Sequence, residues 1–448
     1  MKPLVEPNLL QLKFLGGPLG VLAYRPDGPI YALELDREFL ASGHDLSPLN
    51  LPVATFAAGP RLFRPADTPF PGGLPGLIAD SLPDAWGERM LRQEMPDLKS
   101  LLGKLAAIGK RGPGAITFEP VLGSGADLTP TTANLAELAR EVDALRASPV
   151  PLTSGHVNAA LTQGGISLGG AFPKMAAHLR LEGEFIERRE VLVGGEPPPG
   201  YSPCILKFAR TSDEAEGAVE FAFWLMAKNA GIRLPRACLV QDGERRHFAC
   251  ERFDRYRRSD GTMARLHVHS LSGMLHRRAS DGAIDYEELM RLSRRLGGAN
   301  EAVECFRRAV FNLLATNRDD HGRNHAFLYD ESTREWTLTP AFDLNPNVAN
   351  VLIALTWLGS TQIPQQFSAL IRLAEIGGIS AKRAREIYEQ VETATLGGWR
   401  EAAGHAGVPV AMVDYWDKEI IQQTRTLRAD AKTSARPPGK RRPKKSGP

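Results

Sequence analysis

Residues 317–324 read Asn317-Arg318-Asp319-Asp320-His321-Gly322-Arg323-Asn324. Asp319 and Asn324 stand five apart in a polar stretch that follows an apolar helical pattern ending near Thr316. An apolar strand pattern, His325 to Tyr329, follows at once. A carboxylate and an amide oxygen so spaced suit phosphoryl transfer: one takes the proton of an attacking hydroxyl, the other holds a hard cation. That chemistry needs a second carboxylate to hold Mg²⁺ between phosphates. Past Tyr329 the chain turns at Asp330-Glu331-Ser332 and returns through Trp336 to Ala341-Phe342-Asp343. A hairpin brings its far end beside its near end, so Asp343 falls next to Asn324. A capped, hydrogen-bonded loop without metal uses the same residue types; the returning Asp343 favours the first reading.

The Asp-x4-Asn spacing is the one protein kinases use, and their sites also need a phosphate-binding lysine on an upstream strand. Lys207 lies in the apolar run Cys204-Ile205-Leu206-Lys207-Phe208. A lysine in a half-buried strand needs a partner, and Glu220 on the next helical pattern offers one. The other reading is a lysine snorkelling at a sheet edge. Ser167-Leu168-Gly169-Gly170-Ala171-Phe172-Pro173-Lys174 suits a phosphate loop, with glycines for close backbone approach and Lys174 for charge. Glu251-Arg252-Phe253-Asp254-Arg255 follows a strand and is either a hinge at a nucleotide or a charged hairpin edge. His267 and His269 alternate on one strand face, but no acidic or cysteine ligand is near them or His276 in sequence. His321 and His325 are expected to hydrogen bond rather than to move protons.

The elements that must position these residues are mixed. Glycine- and proline-cut extended pieces over 10–65, with a turn at Pro26-Asp27-Gly28, predict a small β module. Ser81 is expected to cap a helix carrying Trp86, Met90 and Leu91. A helix is expected near 133–147, a strand at 203–208, a helix at 215–230, and a hairpin turning at Asp242-Gly243. Helices are predicted over 285–297, 301–316, 364–376, 380–396 and 409–428. Strands come early and helices late, which predicts an α+β fold with a mixed lobe before a helical one.

The 448 residues exceed one ordinary core, and no apolar run reaches membrane-spanning length. Without an N-terminal apolar segment, and with four widely spaced cysteines and no CxxC pair, a cytoplasmic chain with reduced, buried thiols is expected. Seven of the last eighteen residues are basic and none is acidic, so the net +3 conceals a body of −4. Four prolines in that tail predict disorder. It is either a solubilising terminus or a nonspecific phosphate binder.

Taken together these motifs resemble the HipA family of bacterial Ser/Thr kinases, toxins of toxin–antitoxin pairs, over roughly 10–425. Asp80-Ser81-Leu82-Pro83-Asp84-Ala85-Trp86-Gly87 is similar to the family's N-terminal signature, and Arg111-Gly112-Pro113-Gly114-Ala115 to its glycine turn. The segments around Ser167, Lys207, Glu251, Asn317–Asn324 and Asp343 match its glycine-rich loop, ATP lysine, hinge, catalytic and metal motifs. The resemblance implies an N-terminal subdomain over 1–150, a bilobal body over 151–430 divided near 260, and a tail over 431–448. It implies Asp319 as base, Asn324 and Asp343 on Mg²⁺, and Lys207, Gly169, Gly170 and Lys174 at ATP phosphates. Backbone groups of Glu251 and Phe253 would hold adenine, Asp254 the ribose, and Ser167 would be autophosphorylated. Glu220, His321 and Arg323 would support the site. It implies a translation-related protein substrate such as an aminoacyl-tRNA synthetase, and a helix-turn-helix antitoxin that links the chain to DNA. The alternatives are a catalytically weak co-repressor and a small-molecule kinase. Phe172-Pro173 and Arg318 depart from the family pattern.

Overall fold

Alternating burial builds the first sheet. In β1 (Leu9–Phe14), Leu10, Leu12 and Phe14 are buried while Leu9 and Gln11 face outward. β2 (Gly17–Arg25), β3 (Ile30–Leu35), β4 (Arg61–Phe63) and β5 (Ile116–Glu119) complete an antiparallel sheet in the order β4-β3-β2-β1-β5. α1 (Arg37–Ser42), α2 (Gly76–Ala79), α3 (Ala85–Glu94) and α4 (Leu101–Ile108) fill the connections. This computed structural model describes residues 5–25, 27–123, 129–147, 160–161, 164, 172–210, 215–243, 245–279, 284–346 and 354–434, without the side chains of 428–434. The basic tail beyond 434 and the loop residues Ser167, Gly169 and Gly170 lie outside the described residues.

The cap of α3 differs from expectation. Asp84, not Ser81, accepts the Gly87 N–H at 2.7 Å. Pro83 disfavours helical backbone at the residue before it, so the helix starts only after Asp84.

The body centres on a seven-stranded sheet. Its strands are β6 (Thr131–Asn134), β7 (Lys174–Leu179), β8 (Phe185–Glu187), β9 (Glu190–Val193), β10 (Ser202–Lys207), β11 (Ala237–Gln241) and β12 (Arg246–Glu251). The order is β6-β9-β7-β10-β12-β11-β8. One face carries Cys204, Leu206, Met175 and Ala177 into a core with α5 (Leu135–Ala147) and α3. The other face meets α6 (Glu216–Asn229). β6 and α5 therefore belong to the body sheet and its core, so the sheets divide the chain earlier than the expected boundary at 150.

The second lobe opens with the hairpin β13 (Arg255–Arg257) and β14 (Met263–Arg265). β15 (His267–Ser270), β16 (Ala326–Asp330) and β17 (Glu335–Leu338) form a three-stranded sheet. α7 (Leu271–Leu275) and α8 (Tyr286–Leu314) follow β15 in the chain. α8 is one element broken at Gly298 (φ +78°), which is where the sequence pattern separates two helices. α9 (Phe367–Ile376), α10 (Ala381–Glu392), α11 (Trp399–Ala406) and α12 (Val410–Ser434) complete the lobe. α11 escapes sequence reading because its buried face is Trp399, Ala402, Ala403 and Ala406, a weakly apolar stripe.

The first module is welded to the body. Asp80 accepts from His269 Nδ1 and the Ser270 N–H, each at 2.7 Å, and from Ser270 Oγ at 2.6 Å. His269 Nε2 meets Ser47 Oγ at 3.1 Å. Ser47-His269-Asp80 thus has the spacing of a hydrolytic triad, but Ser47 is 1% exposed and no substrate reaches it. α2 and α7 touch through their backbones: a Cβ on Gly76 would stand 1.9 Å from the Gly273 carbonyl. Burial raises the Asp80 pKa, but the His269 and Ser270 bonds outweigh it and hold the carboxyl below its ordinary value. Asp80→Ala removes these acceptors and should cost about 3 kcal/mol in urea unfolding at pH 7. A lowered folded pKa stabilises above the unfolded value, so the native–variant gap should narrow as pH falls below about 4.

Candidate active site

Lys207 ends β10, and α6 packs across the same face of the sheet. The Lys207 ammonium touches two carboxylates, Glu220 on α6 and Asp343 after β17. Burial alone would lower the Lys207 pKa, but both carboxylates outweigh it and hold the lysine firmly charged. Asp343 is likewise driven up by burial and down, with greater total effect, by Lys207 and Lys174; it stays far below the usual carboxylate range. Glu220 is raised by burial and by the neighbouring Asp343 charge. One cation thus serves two carboxylates.

Asp343 reaches this position with φ +58°, a left-handed backbone that aspartate tolerates better than most residues. The β16–β17 hairpin carries it there in the register Phe327↔Leu338, as the sequence spacing predicts. Phe342 packs on Phe253 with ring centroids 5.5 Å apart, tying this segment to the hinge.

The 317–324 loop is anchored from below. Asn317 Oδ1 accepts the Asp319 N–H at 3.2 Å, and Asn324 Nδ2 donates to the Asp319 carbonyl at 2.7 Å. That fixes the Asn324 amide and turns its oxygen into the available acceptor. Asp319 is half-buried; burial and the Asp343 charge raise its pKa against the pull of His321 and Lys207. His321 Nδ1 accepts the Arg323 N–H at 3.2 Å, a structural role. Asp320, which sequence reading passes over, is the loop's buried foot. It accepts from the Tyr286 hydroxyl, with Asn312 at 3.5 Å, and burial pushes it up to about 7. Its signal was the Asp319-Asp320 doublet: two adjacent acids alternate between cleft and core.

Lys174 faces Lys207 directly across the β7–β10 register. It is 4% exposed, and burial and the Lys207 charge depress its pKa, partly offset by Asp343. Like charges opposed on antiparallel strands repel, so this pair suits an anion between them. The start of α3 supports it: Trp86 Nε1 donates to the Lys174 carbonyl at 2.8 Å. Asp84 Oδ2 is buried with no hydrogen-bond partner among the described residues, and it senses the charges of Lys174 and Arg323. The Asp80–Trp86 motif was legible as a helix start; its reach into the cleft depends on docking between modules, which no local pattern carries.

The hinge corrects one expectation. Asp254 is not turned toward a ribose. Its carboxylate is consumed by Arg252 at 2.9 Å, Arg255 at 2.7 Å and the Gly114 N–H at 2.8 Å, which hold its pKa low despite burial. It is a clamp on the 112–114 turn. Glu251 donates its N–H to the Arg236 carbonyl at 2.8 Å, and its carboxylate accepts from the Arg236 guanidinium. Phe253 backbone groups have no hydrogen-bond partner among the described residues.

Two family models match: the HipA N-terminal domain over residues 10–119 and the HipA-like C-terminal domain over 166–399. The chain belongs to the HipA family. It is 27% identical over 308 residues to the protein Y4mE of Sinorhizobium fredii (strain NBRC 101917 / NGR234), a match spanning 66% of this chain and 63% of that relative's length. It shares the fold of HipA from Shewanella oneidensis MR-1, solved with HipB and its operator DNA: TM-score 0.66, 17% identity, 95% of this chain and 98% of the other covered.

Lys207→Met leaves Glu220 and Asp343 without the cation that contacts both, with Lys174 the remaining positive charge acting on them. The expected loss is about 3 kcal/mol in urea unfolding at pH 7. Both carboxyls then have raised folded pKa values, so protonation favours the folded state and the deficit should shrink between pH 7 and 5.

Proposed function

We propose that the chain is an ATP-dependent protein kinase that phosphorylates Ser or Thr hydroxyls, and the toxin component of a toxin–antitoxin pair. The observation that carries this is Lys207 held between Glu220 and Asp343, with Asp319 within electrostatic reach of both Lys207 and Asp343. The Y4mE relative carries a kinase designation, which supports the reading. Family membership supports the toxin assignment.

The donor set fits a hard divalent ion: the Asp343 carboxylate and the Asn324 amide oxygen, whose nitrogen is already committed. Mg²⁺ held by these two residues would supply charge neutralisation at the phosphates. Lys207 and Lys174 bind the phosphates of ATP. Phe253 offers free backbone groups to adenine, and Asp319 orients the acceptor hydroxyl. The substrate oxygen bonds to the γ-phosphorus as the bond to the β–γ bridging oxygen breaks; ADP leaves, and the hydroxyl proton passes to the Asp319 carboxylate. Ser167, by its motif, is the self-modified residue, and a phosphate there adds about −1.5 to −2 charges to its segment.

A helix-turn-helix antitoxin is the proposed partner, since the Shewanella HipA was solved with HipB on operator DNA. A translation protein such as an aminoacyl-tRNA synthetase is the proposed substrate, and the four buried free thiols fit a cytoplasmic setting.

Incubation with ATP and Mg²⁺ followed by peptide mass spectrometry tests this. Phosphate should appear on Ser167 in the native chain and be absent in Asp319→Asn. Failure of the native chain to gain phosphate or to phosphorylate any added protein overturns the kinase reading. The raised Asp319 pKa also predicts that activity falls, as pH drops, above the ordinary carboxylate range near 4. A pH–rate profile checks it.

A further inference from the structure

β7 runs antiparallel to β10 with Lys174 opposite Lys207. The Phe208 N–H donates to the Pro173 carbonyl at 3.0 Å, so residues 173 and 208 form a hydrogen-bonded pair. Lys174 and Lys207, next along the ladder, are then a pair of the other kind. In such a pair the side chains stand closest, and each residue's own N–H and carbonyl point away from the partner strand. The two ammonium groups are therefore brought together on one face, and the Lys174 carbonyl turns to the far edge of β7.

Little of the sheet covers that edge. β9 pairs with β7 only at His178 and Leu192. A buried carbonyl needs a donor, and at Lys174 the donor comes from the first module: the Trp86 indole N–H, at 2.8 Å. Trp86 is buried in the core that α3 shares with Met175 and Leu206 of the body sheet. Its place is set at both ends of a short motif. Asp84 caps α3 on the Gly87 N–H at 2.7 Å, and Asp80 ties the segment to His269 and Ser270.

The Lys174 side chain has no support of this kind. It is 4% exposed, and its ammonium makes no hydrogen bond or ion pair among the described residues. The charges acting on it are Asp343, Asp84 and Glu220, which attract it, and Lys207, which repels it. Asp84 acts without contact: its Oδ2 is buried and accepts no hydrogen bond among the described residues. With no side-chain partner to fix it, the position of this charge follows from its backbone. The backbone is held by β10 on one edge and by Trp86 on the other.

We propose that Trp86 is a positioning residue for nucleotide binding: its hydrogen bond to the Lys174 carbonyl fixes the start of β7 and so aims the Lys174 ammonium at the phosphates. The first module thereby contributes to phosphate affinity without touching the nucleotide. The proposal rests on the kinase reading, in which Lys174 binds phosphate. It concerns the phosphate end of the nucleotide alone, so the adenosine part is held independently of Trp86.

Titration of the full chain with a non-hydrolysable ATP analogue and Mg²⁺, and separately with adenosine, tests it in the native chain, Trp86→Phe, Lys174→Met and the double variant. Trp86→Phe keeps a buried ring and loses the donor. It should weaken the analogue about fivefold, the worth of one hydrogen bond, and leave adenosine binding as it was. On the Lys174→Met background the same change should have no further effect, since a residue that acts through Lys174 has nothing left to position. A second measurement needs no variant. If the Trp86 bond favours phosphate binding, phosphate binding must strengthen the bond by linkage. NMR of the native chain should therefore show exchange of the Trp86 indole hydrogen slowed by the analogue and not by adenosine. Unchanged analogue affinity in Trp86→Phe, equal loss of both ligands, an undiminished effect on the Lys174→Met background, or indole exchange indifferent to the analogue overturns the proposal and leaves the kinase reading standing. A native chain that neither binds the analogue nor gains phosphate overturns the kinase reading and this proposal with it.

Discussion

Everything in the cleft depends on one lysine serving two carboxylates, Glu220 buried and Asp343 partly exposed. Lys207 is held by the central sheet, Glu220 by α6 and Asp343 by the returning hairpin of the second lobe. Removing either carboxylate leaves the lysine with half its counter-charge; removing the lysine leaves two acids in repulsion. The three elements are therefore pinned to one another by charge, at the point where the two lobes meet. Lys174 opposite Lys207 adds the complementary feature: a second cation whose charge is costly until an anion lies beside it.

The second constraint is the docking of the first module. Asp80 binds β15 through His269 and Ser270, and Gly76 lets α2 approach α7 backbone to backbone. Four and six residues beyond Asp80, Asp84 and Trp86 reach Lys174 and the charge of Arg323. One short motif thus contacts Lys174 at the start of β7 and senses Arg323 in the 317–324 loop at once. On the far side, Asp254 locks Arg252 and Arg255 against the 112–114 turn. The first module is part of the cleft's frame rather than an appendage.

Much of this was legible in the chain. Glycine- and proline-cut extended pieces marked the first β module, and the apolar run around Lys207 marked β10; helices were expected where α5 and α6 lie; the hairpin geometry put Asp343 beside the 317–324 loop. The Lys207–Glu220 pair followed from the cost of a lone lysine in an apolar strand. What stayed hidden was tertiary. Asp254 looked like a free hinge acid because its three partners lie 2, 1 and 140 residues away, and the distant one decides its orientation. Asp320 was passed over because Tyr286, its hydroxyl partner, comes from the far end of α8, 34 residues upstream. β6 and α5 looked like the end of the first module because only pairing with β9 assigns them to the body.

The most direct test of the central claim is titration of a non-hydrolysable ATP analogue with and without Mg²⁺. The account predicts that Mg²⁺ tightens binding to the native chain and has no such effect on Asp343→Asn, while Lys207→Met binds weakly under both conditions. A Mg²⁺ response that survives Asp343→Asn, or full affinity in Lys207→Met, contradicts it.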